Sequence, residues 1–261
     1  MIIELIRHGE TELNAQTRYQ GRTDAPLSEE GKRRLKRAPE NPGHVYVSPL
    51  LRAGQTASLL FPDAEQIAVD GLAEMDFGVF DGRSFREMER DAQYRAWVDG
   101  MCLSKCPGGE SRREFCGRTC AAFLEILERE KEILEEPGHA DSGKEAGRIF
   151  IVAHGGTQMA LLQCFGPRPG KGPAGRGGEE GDDGRGSAAE SFGNTDEGGG
   201  AVNAGQRIED SFEKESKEQD DYYRWQLPPG WGYVLEACGS AAEPVLRILE
   251  VRDFTREAGD G

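Results

Sequence analysis

Four short apolar runs punctuate the chain: IIELI at 2–6, HVYVS at 44–48, QIAVD at 66–70 and RIFIVA at 148–153. Each has the length and β-branched or aromatic content of a buried strand, and polar stretches of helical character lie between them. This alternation predicts α/β layers around a mostly parallel sheet. Ser48 with Pro49 forms an N-cap and first-turn pair for a helix through LLRAGQTASLL, which sets Arg52 in its first turns.

Two capping boxes, Ser84 with Glu87 and Ser111 with Glu114, open further helices. The second is long, with Phe115, Phe123, Ile126, Leu127, Ile133 and Leu134 forming its apolar stripe. A loop-like WVDGMCLSKCPGGE connects the two helices, and together these segments form an excursion placed to cover a site as a lid. Near the other end, YYRWQLPPGWGYVLEA and PVLRILEV predict a strand pair closing the domain.

Between 166 and 221 the periodicity collapses into Gly-rich and then acidic sequence, predicted to be a flexible, solvated insertion within one domain. That segment carries 7 basic and 14 acidic residues, nearly half of the net charge of -15. Low hydrophobic content, 36%, fits a chain of which part stays solvated. The domain is expected over 1–165 and 222–252, with a flexible tail over 253–261. A pI near 4.8 makes nucleic acid and anionic lipid unfavourable partners. Glu4 and Arg7 break the N-terminal apolar run, and no apolar run reaches spanning length, so a cytoplasmic location is expected.

Six cysteines include two CxxxC pairs, Cys102 with Cys106 and Cys116 with Cys120. Without a CxxC or a nearby histidine, buried thiols are the simpler reading than a zinc or redox site.

The chemistry gathers at strand ends. His8 in LIRHGE and His154 in IVAHGG each follow a strand-like run and precede glycine. In a parallel sheet the carboxyl ends of strands line the ligand crevice, so the two imidazoles are placed to face each other. Gly155 and Gly156 open a helix whose free N–H groups suit an anion, and a phosphate is the natural guest. Arg7 and Arg52 would add planar donors for phosphoryl oxygens. Glu74 is a candidate proton donor to a leaving alkoxide, with Asp76 and Asp81 as rivals in the same stretch.

RHGE at 7–10, SPLLRAGQTA at 48–57, LAEMDFGVFDG at 72–82, GGES at 108–111 and AHGG at 153–156 occur in an order that resembles the histidine phosphatase superfamily. The chain is similar to its phosphoglycerate mutase-like branch and, within it, to alpha-ribazole phosphatase and related small-molecule phosphatases. The resemblance implies a three-layer α/β/α sandwich and hydrolysis of small phosphate monoesters without a metal or organic cofactor. It implies His8 as the nucleophile that becomes phosphohistidine and Glu74 as the general acid. Arg7, Arg52 and a protonated His154 complete the phosphate pocket. Asn14 and the backbone at Gly21 match positions that approach phosphoryl oxygens in mutase relatives. A mutase is the alternative, yet Met75 and Phe77 stand where cofactor-dependent mutases carry Arg and Tyr. A non-catalytic phosphate-binding module is the second alternative. In the excursion, Arg83, Arg86, Tyr94, Arg95 and Trp97 are candidates for contacting the leaving group.

Overall fold

The computed structural model describes residues 1–135, 147–167 and 222–255. The Gly-rich and acidic insertion, apart from Gly166 and Pro167, lies outside the described residues. In chain order the elements begin with β1 (Ile2–Arg7), α1 (Glu12–Ala15), α2 (Glu29–Arg34), β2 (His44–Val47), α3 (Leu51–Leu60) and β3 (Glu65–Ala68). They continue with α4 (Phe85–Met88), α5 (Ala92–Asp99), α6 (Arg112–Glu135), β4 (Arg148–Ala153), α7 (Gly155–Phe165), β5 (Trp231–Gly239) and β6 (Pro244–Asp253). Six strands form one sheet in the order β3-β2-β4-β1-β5-β6. The first four are parallel neighbours, while β5 runs antiparallel to β1 and β6 antiparallel to β5.

Side-chain alternation along the central strands builds two cores. Ile3, Leu5, Tyr46, Ile149 and Ile151 face α6 and α7, packing with Phe123, Leu127 and Leu161. Ile6, Val45, Val47, Phe150 and Val152 face α3, meeting Ala53, Ala57 and Leu60. The result is the expected three-layer sandwich. Glu4 points from the middle of β1 into a buried position, where Arg148 and Arg252 bind its carboxylate. The third apolar run behaves differently: β3 is an edge strand and mostly exposed, because only β2 covers it.

Three local expectations need correction. Ser48 does not cap α3; Leu50 holds the N-cap position, and Asp24 Oδ1 accepts the Leu51 N–H at 2.6 Å. The closing hairpin starts at Trp231, with Tyr222–Gly230 forming a lead-in that includes a 3-10 turn. Residues 253–255, expected within a flexible tail, pack on the domain, since Phe254 is buried, its carbonyl accepts Lys36 N–H, and Thr255 bridges Leu35, while 256–261 lie outside the described residues. Both capping boxes are present.

Cys106, Cys116 and Cys120 are buried, and all six cysteines are free. Among the described residues no group of three or more His, Cys, Asp or Glu side chains could hold a metal. No helix among them is long and apolar enough to cross a membrane.

His44 on β2 and Tyr46 both bond Glu130 Oε1 on α6, at 2.6 and 2.7 Å. The Glu130 hydrogen bond raises His44 above its usual 6.5, against the opposing effect of burial. Burial pushes Glu130 up, yet the bonds from His44 and Tyr46 outweigh it and hold the carboxyl below 4.5. The stabilisation is therefore complete below pH 6.5 on the His44 side and is lost as pH rises through its raised pKa. On the Glu130 side it is lost as pH falls through the depressed one. Urea unfolding at stepped pH is expected to lose about 1 kcal/mol or less above pH 6.5, an alkaline loss absent in His44→Gln. Superimposable profiles for the two proteins would remove the pair from the stability of the β2–α6 contact.

Candidate active site

β1 and β4 pair in register, Ile6 beside Val152 and Arg7 beside Ala153. The ladder carries on for one more bond, from His8 N–H to Ala153 O at 2.9 Å. The residues just past each strand are thus neighbours, and the imidazole centroids of His8 and His154 lie 5.1 Å apart at 63°. Both side chains are buried.

His8 Nδ1 lies 2.7 Å from Gly9 O. A carbonyl only accepts, so Nδ1 carries the proton and Nε2 keeps its lone pair. Arg52 Nε faces that lone pair at 3.3 Å. The remaining Arg52 donors are held by the carbonyls of Thr23, Gln20 and Gly21. Gly9 N–H donates to Thr56 Oγ1, whose hydroxyl donates to Arg52 O, tying the loop after His8 to α3. From the far end of the chain, Gly230 N–H donates to His8 O, and Leu227 O accepts from Arg7 Nη1 at 2.5 Å.

Glu74 approaches from the loop after β3. Met75 N–H donates to its Oε1 at 2.8 Å and Gly156 N–H to its Oε2 at 3.1 Å. The start of α7 therefore grips the carboxylate, and a Cβ at 156 would stand 2.1 Å from Glu74 Oε1 and displace it from this position. Arg118 secures the same loop by donating to Gly71 O, Ala73 O and Glu74 O while paired with Glu110 of the GGES segment. The rival acids are engaged elsewhere. Asp76 accepts Gly78 N–H, and Asp81 accepts from Gly21 and Thr23.

Arg7, His8, Asn14 and Glu74 line a cavity of about 330 Å³. Arg52 and His154 stand fully buried behind His8. Gly155 lies beneath the Gln226 side chain. Gly21 is not among the lining residues; its N–H is committed to Asp81 and its carbonyl to Arg52, so the expected approach to a phosphoryl group is taken up by loop structure. Asn14 lines the cavity, with Oδ1 accepting from the Thr11 backbone in the capping box of α1. Of the five excursion residues, only Trp97 reaches the cavity. Arg83 pairs with Asp91, Arg86 lies over Phe85, and Tyr94 bonds Tyr19.

A model of the histidine phosphatase superfamily (branch 1) matches residues 3–172. The chain belongs to that superfamily. A probable phosphoglycerate mutase, GpmB, from Enterobacter sp. (strain 638) is 33% identical over 175 residues, 62% of this chain and 81% of that protein. Its counterpart from Salmonella newport (strain SL254) is 33% identical over 135 residues, 48% of this chain and 63% of that protein, just under two thirds of its length. In fold, the chain is similar to the alpha-ribazole phosphatase from Shigella flexneri, with TM-score 0.58, 19% identity and coverage of 95% and 96%. It is also similar to the native mycobacterial glucosyl-3-phosphoglycerate phosphatase, with TM-score 0.50, 26% identity and coverage of 64% and 80%.

Electrostatics distinguish this histidine phosphatase site from a simple cationic pocket. Burial, followed by Arg52 and Arg7, pushes His8 well below 6.5. Burial, then Arg52, His8 and Arg7, does the same to His154. The expectation of a protonated His154 is therefore corrected for the free site: it is neutral. Burial also lowers Arg7 and Arg52, opposed in both by Glu74, but guanidinium starts high enough to stay charged.

Two residues of the site escaped sequence reading. Gln20 lines the cavity, its Oε1 accepting from Thr11 Oγ1 at 2.6 Å. Its only sequence signal is that it adjoins Gly21 in the RYQGR loop. Ser48, assigned to a cap, instead places Oγ 2.7 Å from His154 Nε2 while accepting Leu50 N–H at 3.3 Å. Three buried nitrogens, Arg7 Nε, Gln20 Nε2 and His154 Nδ1, make no hydrogen bond among the described residues. The Ser48 hydroxyl can donate to or accept from Nε2; the tautomer in which it donates puts the His154 proton on Nδ1 and makes all three nitrogens N–H donors.

Proton NMR should find that His8 and His154 fail to titrate near pH 6.5, whereas His44 titrates above it. Because the unfolded chain takes up those protons and the folded site does not, stability is expected to fall as pH drops below 6.5. In ¹⁵N spectra His154 should carry its proton on Nδ1, and Ser48→Ala should mix the tautomers. A single unchanged tautomer in that variant would refute the assignment to Ser48.

Proposed function

We propose that this chain is a phosphatase that hydrolyses small phosphate monoesters through a phosphohistidine on His8. The observation that carries the reading is His8 itself: Nδ1–H is fixed on Gly9 O, Nε2 is unprotonated with only the long 3.3 Å contact from Arg52 Nε on it, and Glu74 lines the same cavity. Within the family, alpha-ribazole phosphate is one candidate substrate, supported by the similarity in fold to the Shigella flexneri enzyme. The domain is proposed to comprise 1–165 and 222–255, interrupted by the insertion.

The reaction proceeds in two displacements. His8 Nε2 attacks phosphorus while Glu74 gives a proton to the departing alkoxide. Glu74, now a carboxylate, takes a proton from water as the water attacks the phosphohistidine, releasing phosphate and restoring His8. Phosphoryl transfer places charge on the equatorial oxygens, and its stabilisation falls to preorganised donors. Arg7, Gln20 and His154 supply them, Arg52 adds a buried positive charge at His8 Nε2, and Asn14 stands at the cavity wall. Together with the covalent step they must lower a barrier by on the order of 20 kcal/mol or more.

A mutase reading draws on the relatives described as probable phosphoglycerate mutases. A mutase must hold a second phosphate, yet beside Glu74 the cavity wall presents Met75 and Phe77. Two outer cations are engaged, Arg18 with Glu87 and Arg112 with Met101 O and the Tyr222 ring. Hydrolysis is the better-supported outcome.

The decisive assay is turnover of p-nitrophenyl phosphate in EDTA, with acid-labile phosphate trapped on His8. His8→Ala is expected to abolish both signals, and Arg52→Ala to raise the barrier by about 3 kcal/mol or more. Undiminished turnover by His8→Ala would rule out the phosphohistidine route.

A further inference from the structure

The part of the cavity beyond Glu74 is walled by rings. Tyr19, Phe77 and Trp97 form one wall, with Tyr19 and Phe77 centroids 5.1 Å apart and Tyr19 and Trp97 5.9 Å apart. Phe115, Tyr222 and Tyr223 form the other. Their polar tips are used inside the protein. Tyr19 Oη bonds Tyr94 Oη at 3.0 Å, Trp97 Nε1 donates to Ser104 O at 3.1 Å, and Tyr222 Oη lies 4.0 Å from Cys116 Sγ, while Cys102 and Arg112 stand beside the Tyr223 hydroxyl. What these six side chains offer a ligand is therefore carbon surface. The hydrogen-bonding nitrogens without partners lie at the opposite end, around His8.

This division of labour tells against a polyol as leaving group. A sugar or glycerate would surrender its bonds to water and find few replacements along these walls, at a penalty for each hydroxyl. A flat apolar ring gains area and edge-to-face contacts there instead. Resting on the reading of the floor as a phosphoester site, we propose that the preferred substrates are phosphate monoesters whose alcohol carries an aromatic ring, and that Trp97 and Tyr223 select for it. Trp97 is a buried member of the excursion and Tyr223 is half exposed, and both line the cavity.

The test compares 2-phenylethyl phosphate with ethyl phosphate, whose leaving alkoxides are of similar basicity, so that the ratio of kcat/KM reads the ring alone. The wild-type ratio is expected to favour the ring by about ten-fold or more. It should collapse toward unity in Trp97→Ala and in Tyr223→Ser, the latter guarding against loss of folding at the buried position. Calorimetric binding of both esters to His8→Ala reads the same preference without catalysis. Equal turnover and equal binding, or a preference for glycerol phosphate over the ring ester, would overturn the inference while leaving hydrolysis intact. Absent turnover of either ester by wild type, with ring-selective binding retained, would uphold it and remove the hydrolase reading.

Discussion

The site depends on the register of one parallel strand pair. Because β1 and β4 end level with one another, the residues that follow them are neighbours without any special device, and one further ladder bond extends the match to His8. A slip of one residue would turn every side chain of β1 to the opposite layer, placing Ile6 among the partners of Ile3 and Leu5 and withdrawing His8 from His154. The two apolar cores therefore hold the active-site geometry by holding the register. Precision at the imidazoles is a property of Ile3, Leu5, Ile151 and Val152 as much as of the histidines.

Burial does the second part of the work. It keeps both imidazoles neutral beside two guanidinium groups, so that His8 Nε2 stays unprotonated, while the positive charge stays on arginines that do not titrate. A phosphate dianion entering such a site meets N–H donors already oriented in a low-dielectric surrounding, where each is worth more than in water. Glu74 is the acid among the residues lining the described cavity, and its carboxylate is held by backbone N–H groups, leaving the arginine donors uncommitted to it.

Much of this was legible in the sequence because strand ends and their flanking glycines are local signals. His8, His154, Arg7 and Arg52 could be placed from strand-like runs and one helix, and Glu74 from its ordered position among the motifs. What stayed hidden depends on distant segments meeting. Ser48 next to Pro49 has the local signature of a cap, and only the parallel pairing of β2 with β4 brings its hydroxyl to His154. The aromatic walls draw on positions from Tyr19 to Tyr223, whose spacing follows no helical or strand period. QIAVD looked like the other buried strands because a short apolar run does not report whether it has neighbours on both sides.

The contacts made by Leu227 and Gly230 add a timetable to the architecture. The Arg7 guanidinium finds its carbonyl partner 220 residues later in the chain. At roughly 5–20 residues per second, a nascent chain waits on the order of ten seconds or more between exposing the nucleophile loop and receiving the segment that secures it. During that interval β1 has an unpaired edge where β5 will dock. The polypeptide thus withholds a finished phosphate pocket until its last two strands are made, and catalytic competence becomes a late event of synthesis.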